Sequence, residues 1–113
     1  MTRAEDALAS SSGLTSRPAA RMTKYYPYPS DRKTKKFYII TDDNKKIYFG
    51  DSRYQHYTEG HLDHNRRRNY MRRHLKNEDW TKSGIDSAGF WSYHYLWRFP
   101  SYKEAYENIK KYI

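Results

Sequence analysis

The sequence predicts an α+β domain: a small β-hairpin sheet packed with about three helices and preceded by an extended N-terminal arm. Three observations carry this prediction. Two short runs of β-branched and aromatic residues flank the turn-forming Asp42-Asp43-Asn44, three later segments open on helix-capping residues (Asp63, Ser87, Ser101), and residues 1–36 show no sustained apolar period. The domain organisation expected is an arm over 1–36 and a compact unit over 37–113.

Within the arm, Ala9-Ser10-Ser11-Ser12-Gly13 is small and polar, and Pro18, Pro27 and Pro29 interrupt any regular element. Lys24-Tyr25-Tyr26-Pro27-Tyr28-Pro29 favours extended backbone, because proline fixes its own φ and pushes the residue before it out of the α region. Tyr25, Tyr26 and Tyr28 are therefore candidate arm contacts on a partner protein, which this ribbon is expected to follow as a strand. Eight basic residues against Glu5, Asp6 and Asp31 give the arm +5. Its Arg and Ser content is that of a transit peptide, but Glu5-Asp6 counts against one. With no core in the arm, its removal through Lys36 is expected to spare folding.

The hairpin strands are Phe37-Tyr38-Ile39-Ile40-Thr41 and Lys45-Lys46-Ile47-Tyr48-Phe49, closed by Gly50-Asp51. Two strands are not stable alone in water, so helices must cover one face. Asp63 caps a helix expected over about His64 to Lys76, with Tyr70, Met71, His74 and Leu75 as its apolar stripe. A second begins at Ser87, carries Ala88, Phe90, Trp91, His94, Tyr95 and Trp97, and stops at Phe99-Pro100. The last opens with Ser101-Tyr102-Lys103-Glu104, the spacing of a capping box, and buries Ala105, Tyr106, Ile109 and Ile113.

The chain has 113 residues, room for one small core, and a formal charge of +9 that favours anionic partners. Hydrophobic residues are only 36%, but 13 Tyr, 4 Phe and 3 Trp bury large areas per residue, so an aromatic core is feasible. Absence of cysteine excludes disulfides, thiol nucleophiles and thiolate metal sites. No apolar run approaches the roughly 18 to 20 residues of a membrane span, so a soluble or peripheral protein is expected.

The blocks Tyr48 to Gln55 (YFGDSRYQ), Arg67 to His74, Asn77 to Thr81 (NEDWT), Ala88 to Ser92 (AGFWS), and Leu96-Trp97 with Pro100-Ser101 resemble a family of small uncharacterised proteins of large DNA viruses that infect eukaryotes. The resemblance spans about residues 36–113 and implies a viral context, with a particle component as the expected role. It implies nothing for the arm.

The densest group of chemically capable side chains is Asp51, Arg53, Tyr54, His56, Glu59, His61, Asp63, His64 and His74. Imidazole and carboxylate together suit a metal-dependent nuclease, but His61-x-x-His64 has no second pair at ligand spacing and no HExxH arrangement is present. No phosphate-binding glycine loop and no nucleophile elbow occur. The expectation is no catalytic residues, no metal, no cofactor and no small-molecule substrate. Asp51 and Ser52 are read as local backbone acceptors, and Arg53 as a partner for Glu78 or Asp79, or else part of an anion-binding turn. Trp80, Trp91 and Trp97 are read as core in preference to a base-stacking platform.

Arg66, Arg67, Arg68, Arg72, Arg73 and Lys76 against Asp63 leave +5 on one helix, more than the +4 that 14 basic and 10 acidic residues give residues 37–113 as a whole. With Arg53, these are the candidate partner- or phosphate-binding residues. The expected function is a non-enzymatic structural protein of a virus particle, a minor capsid or cement-type component. It would dock on other virion proteins through the Arg helix, tyrosines and arm, and be found in the virion and, during assembly, in host cytoplasm or nucleus. The alternative is a basic accessory protein that contacts nucleic-acid phosphates.

Overall fold

A computed structural model describes residues 22–113. The fold is α+β, as the sequence predicts. Its sheet has three antiparallel strands in the order β1-β2-β3: β1 (Tyr28–Pro29), β2 (Lys35–Ile40) and β3 (Lys46–Asp51). The expected hairpin is β2-β3, with Phe37 opposite Phe49 and Ile40 opposite Lys46. Asn44 takes the left-handed conformation (φ 65°) that the tight turn demands and Asn tolerates.

Alternation along β2 and β3 separates two faces. Phe37 and Phe49 stack across the strands at 5.8 Å and meet Tyr95, Tyr102 and Trp91 of the helical layer. On the opposite face Tyr28, Tyr38 and Tyr48 stand side by side in register, with ring centroids 5.7 and 5.5 Å apart. The Arg32 guanidinium lies 3.9 Å from the Tyr48 ring centre and the Lys46 ammonium 4.6 Å from that of Tyr38. The protein's own cations thus cover this aromatic face.

Residues 22–36, read from the sequence as part of a coreless arm, lie along their own domain. Tyr25 is 6% exposed; its backbone N–H donates to Ile40 O (2.9 Å) and its hydroxyl to Asp86 Oδ1 (2.6 Å). Burial beside Asp86 pushes the Tyr25 phenol up to about 12. Tyr26 sits edge-on to Tyr28 and Tyr106. The three arm tyrosines therefore contact their own domain, because a third strand covers what a hairpin leaves open. Pro27 and Pro29 keep this edge from extending further, since proline has no N–H for a ladder. The rest of the arm, residues 1–21, lies outside the described residues.

After β3 an irregular turn, Tyr57–His61, leads to α1 (His64–His74). The Asp63 carboxylate caps α1 as expected, accepting from the N–H groups of Asn65 and Arg66. Tyr70 is buried, whereas Leu75, assigned to the apolar stripe, is 64% exposed because the helix ends one residue before it. A short 3₁₀ turn (Lys82–Gly84) precedes α2 (Ala88–Trp91), which runs on into a π-helical stretch, Ser92–Trp97. Ser87 accepts from Phe90 N–H, the expected cap. Helix α3 (Tyr102–Ile109) is capped by Ser101, whose hydroxyl accepts from Glu104 N–H, and buries Ala105 and Ile109; Ile113, placed with them by sequence, is 53% exposed. Trp91 and Trp97 are core; Trp80 is half-buried and stacks on Tyr93 at 3.8 Å. Among the described residues no helix is long and apolar enough to cross a membrane.

Candidate functional site

The cationic helix does not present its arginines as one face. Their helical phases differ, and the packing of α1 gives them three fates. Arg67 points inward: its Nε donates to Trp97 O (2.8 Å) and its Nη2 to Arg98 O (3.0 Å). These are carbonyls at the end of the α2 helical run, which lack intrahelical partners, so the guanidinium fork acts as their cap. Arg67, read from the sequence as a partner-binding residue, is occupied by the fold. Arg67→Ala is expected to cost about 2 kcal/mol in chemical denaturation, the range for hydrogen bonds from a charged donor. Arg67→Lys should recover only part, because a single ammonium cannot span both carbonyls.

Arg68, Arg72 and Lys76 face solvent, and none makes an ion pair among the described residues. Among the described residues the Arg68 guanidinium reaches only Asn65 Oδ1, at 3.3 Å. Arg66 and Arg73, with Asn69 between them at i+3 and i+7, line a cleft of about 540 Å³. Its other walls are β3 from Tyr48 to Asp51, Lys35 of β2, the Tyr54–His56 loop, and Ala88, Gly89 and Ser92 of the α2 run.

Gly50 takes φ 83° where β3 turns toward this cleft. A Cβ there would lie 2.8 Å from Leu96 Cδ1, so both backbone and packing require glycine. Asp51 does accept a backbone N–H, that of Arg53 (2.9 Å). The expected pairing of Arg53 with Glu78 or Asp79 does not occur. Its guanidinium instead forks onto Asp51 (Nε–Oδ1 3.1 Å, Nη2–Oδ2 2.8 Å), two residues away and so cheaper in chain entropy. This pair holds the Asp51 carboxyl well below the usual carboxylate range.

The other members of the His/Asp/Glu group are dispersed. Glu59 and His64 are exposed; His61 Nδ1 accepts from Asp63 N–H at 2.8 Å; His74 Nδ1 lies 2.9 Å from Glu78 Oε2. Among the described residues no three His, Asp or Glu side chains converge to hold a metal ion. Glu78 also accepts from Trp80 Nε1 (3.0 Å), and Asp79 from Thr81 and Ser83, so both carboxylates serve local structure.

Burial leaves two histidines neutral. His94 sits 2% exposed, its Nε2 donating to Trp80 O (2.7 Å) and its Nδ1 accepting from Arg98 Nη1 (3.2 Å); loss of hydration pushes its pKa down to about 4. His56 is 7% exposed on the cleft wall and likewise pushed down to about 4, by burial first and then by Lys36, His61 and Arg66. Its Nδ1 is buried with no hydrogen-bond partner, as is His61 Nε2. A buried polar atom left unpaired is uncommon and marks this wall of the cleft.

The sequence pointed to the arginines but not to the cleft. Lys35, Asn69 and His56 are far apart in the chain, and only the i, i+3, i+7 spacing of Arg66, Asn69 and Arg73 is a local sign that they share a side. No curated protein and no solved structure matches the chain. Residues 28–74, less than half of the chain, are similar to a protein family described as a family of unknown function (DUF5754), and this segment holds all three strands, the Tyr57–His61 turn and α1.

Proposed function

We propose that the chain is a non-enzymatic interaction protein that docks through the outward cations of α1 on an anionic partner surface. The observation that carries this reading is the state of Arg68 and Arg72, one turn apart on α1, and of Lys76 two residues beyond its end: exposed and without an acidic partner among the described residues. Guanidinium groups in that state retain their full capacity for bidentate pairing with carboxylates or phosphates. The dispersal of the His/Asp/Glu side chains supports a binding role over hydrolytic chemistry. The resemblance to small proteins of large DNA viruses supports a minor capsid or cement-type component, which makes acidic faces of other virion proteins the preferred partner. A second reading, contact with nucleic-acid phosphates, is supported by the same unpaired arginines in one helical row.

The test is a titration of DNA and RNA against the full chain from about 50 to 300 mM salt, beside Arg68→Glu/Arg72→Glu. The docking reading expects binding that vanishes by about 150 mM, together with reduced incorporation of the charge-reversed variant into assembled particles. Binding that persists at that salt, with a steep salt dependence that flattens in the variant, establishes the phosphate reading. Unchanged incorporation and unchanged nucleic-acid binding in the variant would remove α1 from both.

A further inference from the structure

We infer that the cleft between β3 and the inner side of α1 is a binding site for a nucleotide-sized ligand, an aromatic ring carrying a phosphate. Its volume, about 540 Å³, lies in the usual range of roughly 300–1,000 Å³ for small-molecule sites.

Charge selects an anion. The two carboxylates on the cleft wall are engaged, Asp51 by Arg53 and Glu78 by His74 and Trp80. The three cations, Lys35, Arg66 and Arg73, have no ion pair or hydrogen-bonded side-chain partner among the described residues. Even with the Glu78 charge counted in full, three free cations against one carboxylate leave the face a ligand meets positive, and two of the three are guanidinium forks suited to phosphate oxygens.

Shape and surface select a flat ring. Trp97, Tyr70 and His74 form a column of stacked rings, with centroids 4.4 and 4.2 Å apart and interplanar angles of 8° and 25°. All three line the cleft, and His74 ends the column with a side chain 38% exposed. A ligand ring on His74 would extend the column, while Tyr54, 59% exposed, stands at the mouth as a second aromatic surface. His56, nine-tenths buried, closes the wall behind this column, its ring edge-on to Trp97 at 5.7 Å.

The site uses a different flank of α1 from the docking surface, and the experiment separates them. The full chain is titrated at about 150 mM salt with the common ribonucleoside 5′-monophosphates, the matching nucleosides, and inorganic phosphate. Trp fluorescence and amide chemical shifts at Gly50 and Gly89 report occupancy. A monophosphate is expected to bind with a sub-millimolar to millimolar Kd, more tightly than its nucleoside or phosphate alone. Arg66→Ala or Arg73→Ala should weaken it on the order of tenfold or more. Asn69→Trp, an exposed helix position whose new side chain fills the cleft, should abolish it. Ala88→Tyr repeats the plug from the other wall should the first variant fold poorly. Arg68→Gln/Arg72→Gln should change it little, even if docking is lost. Absence of saturable shifts for every monophosphate, affinity no better than for phosphate, or binding undiminished by both plugs would overturn the inference and leave the docking reading intact.

Discussion

A chain that begins at Phe37 is expected to lose most of its cooperative stability relative to one that begins at Met22. The missing segment buries Tyr25, supplies β1, and connects to the helical layer through the Tyr25 hydroxyl on Asp86. Losing an aromatic side chain from a core costs about 3–5 kcal/mol, and the backbone bonds of Tyr25 to Ile40 and of Ser30 to Lys36 go with it. Domains of this size hold about 5–15 kcal/mol in total, small ones toward the lower end. Thermal melts should therefore show a collapse of the transition midpoint or a broad, uncooperative loss of signal. Two point variants divide the effect. Tyr25→Ala should carry most of it, and Tyr25→Phe should cost about 1.5–3 kcal/mol, the usual range for a hydrogen bond to a charged acceptor. Equal melting of the Phe37 and Met22 chains would show that the Tyr25 ribbon is dispensable.

Stability is expected to fall steeply between about pH 6.5 and pH 4, starting well above the range in which ordinary carboxylates titrate. His56 and His94 are each pushed down to about 4 in the fold, in both cases chiefly by burial. Lys36, His61 and Arg66 reinforce this at His56 while Asp51 opposes it; at His94 Arg98 reinforces it and the hydrogen bond to the Trp80 carbonyl opposes it. An unfolded chain takes a proton on each ring near pH 6.5. Between the two values the unfolded state therefore binds more protons than the native state, and acid favours unfolding. Each pH unit of offset is worth about 1.4 kcal/mol per histidine, so the pair can remove several kcal/mol by pH 4. Asp31, Asp51, Asp63 and Asp79 have lowered pKa values, so what they contribute is present above the usual carboxylate value and is lost only at lower pH. Urea midpoints at pH 7, 5.5 and 4 should show the decline, and His56→Gln should flatten it. A midpoint unchanged from pH 7 to pH 5 would refute the assignment.

Local signals were legible where a short stretch of chain suffices to satisfy them. Asp63, Ser87 and Ser101 cap the helices they were expected to cap because an N-cap needs only a side-chain oxygen and the N–H groups two or three residues on. The hairpin was legible for the same reason, since alternation and an Asn turn lie within about fifteen residues. The fate of residues 22–36 was not. Their prolines and polar residues match an unpacked arm, and nothing nearby in sequence shows that Tyr25 reaches Asp86, sixty-one positions away.

The candidate site divides along the same line. The sequence placed a cationic helix at about residues 64–76, two residues longer than the one observed, and named its arginines, and the absence of cysteine narrowed the chemistry. Which guanidinium caps two carbonyls, which face solvent, and which line a cleft depends on the rotation of α1 against β3 and the α2 helical run. That rotation is set by where Tyr70 finds Trp97 and where Arg67 finds the carbonyls of Trp97 and Arg98. The sequence by itself determined the class of fold, the caps, the turn and the charge. Tertiary structure alone decided which charges are free, because a charge is spent or available according to what long-range packing sets beside it.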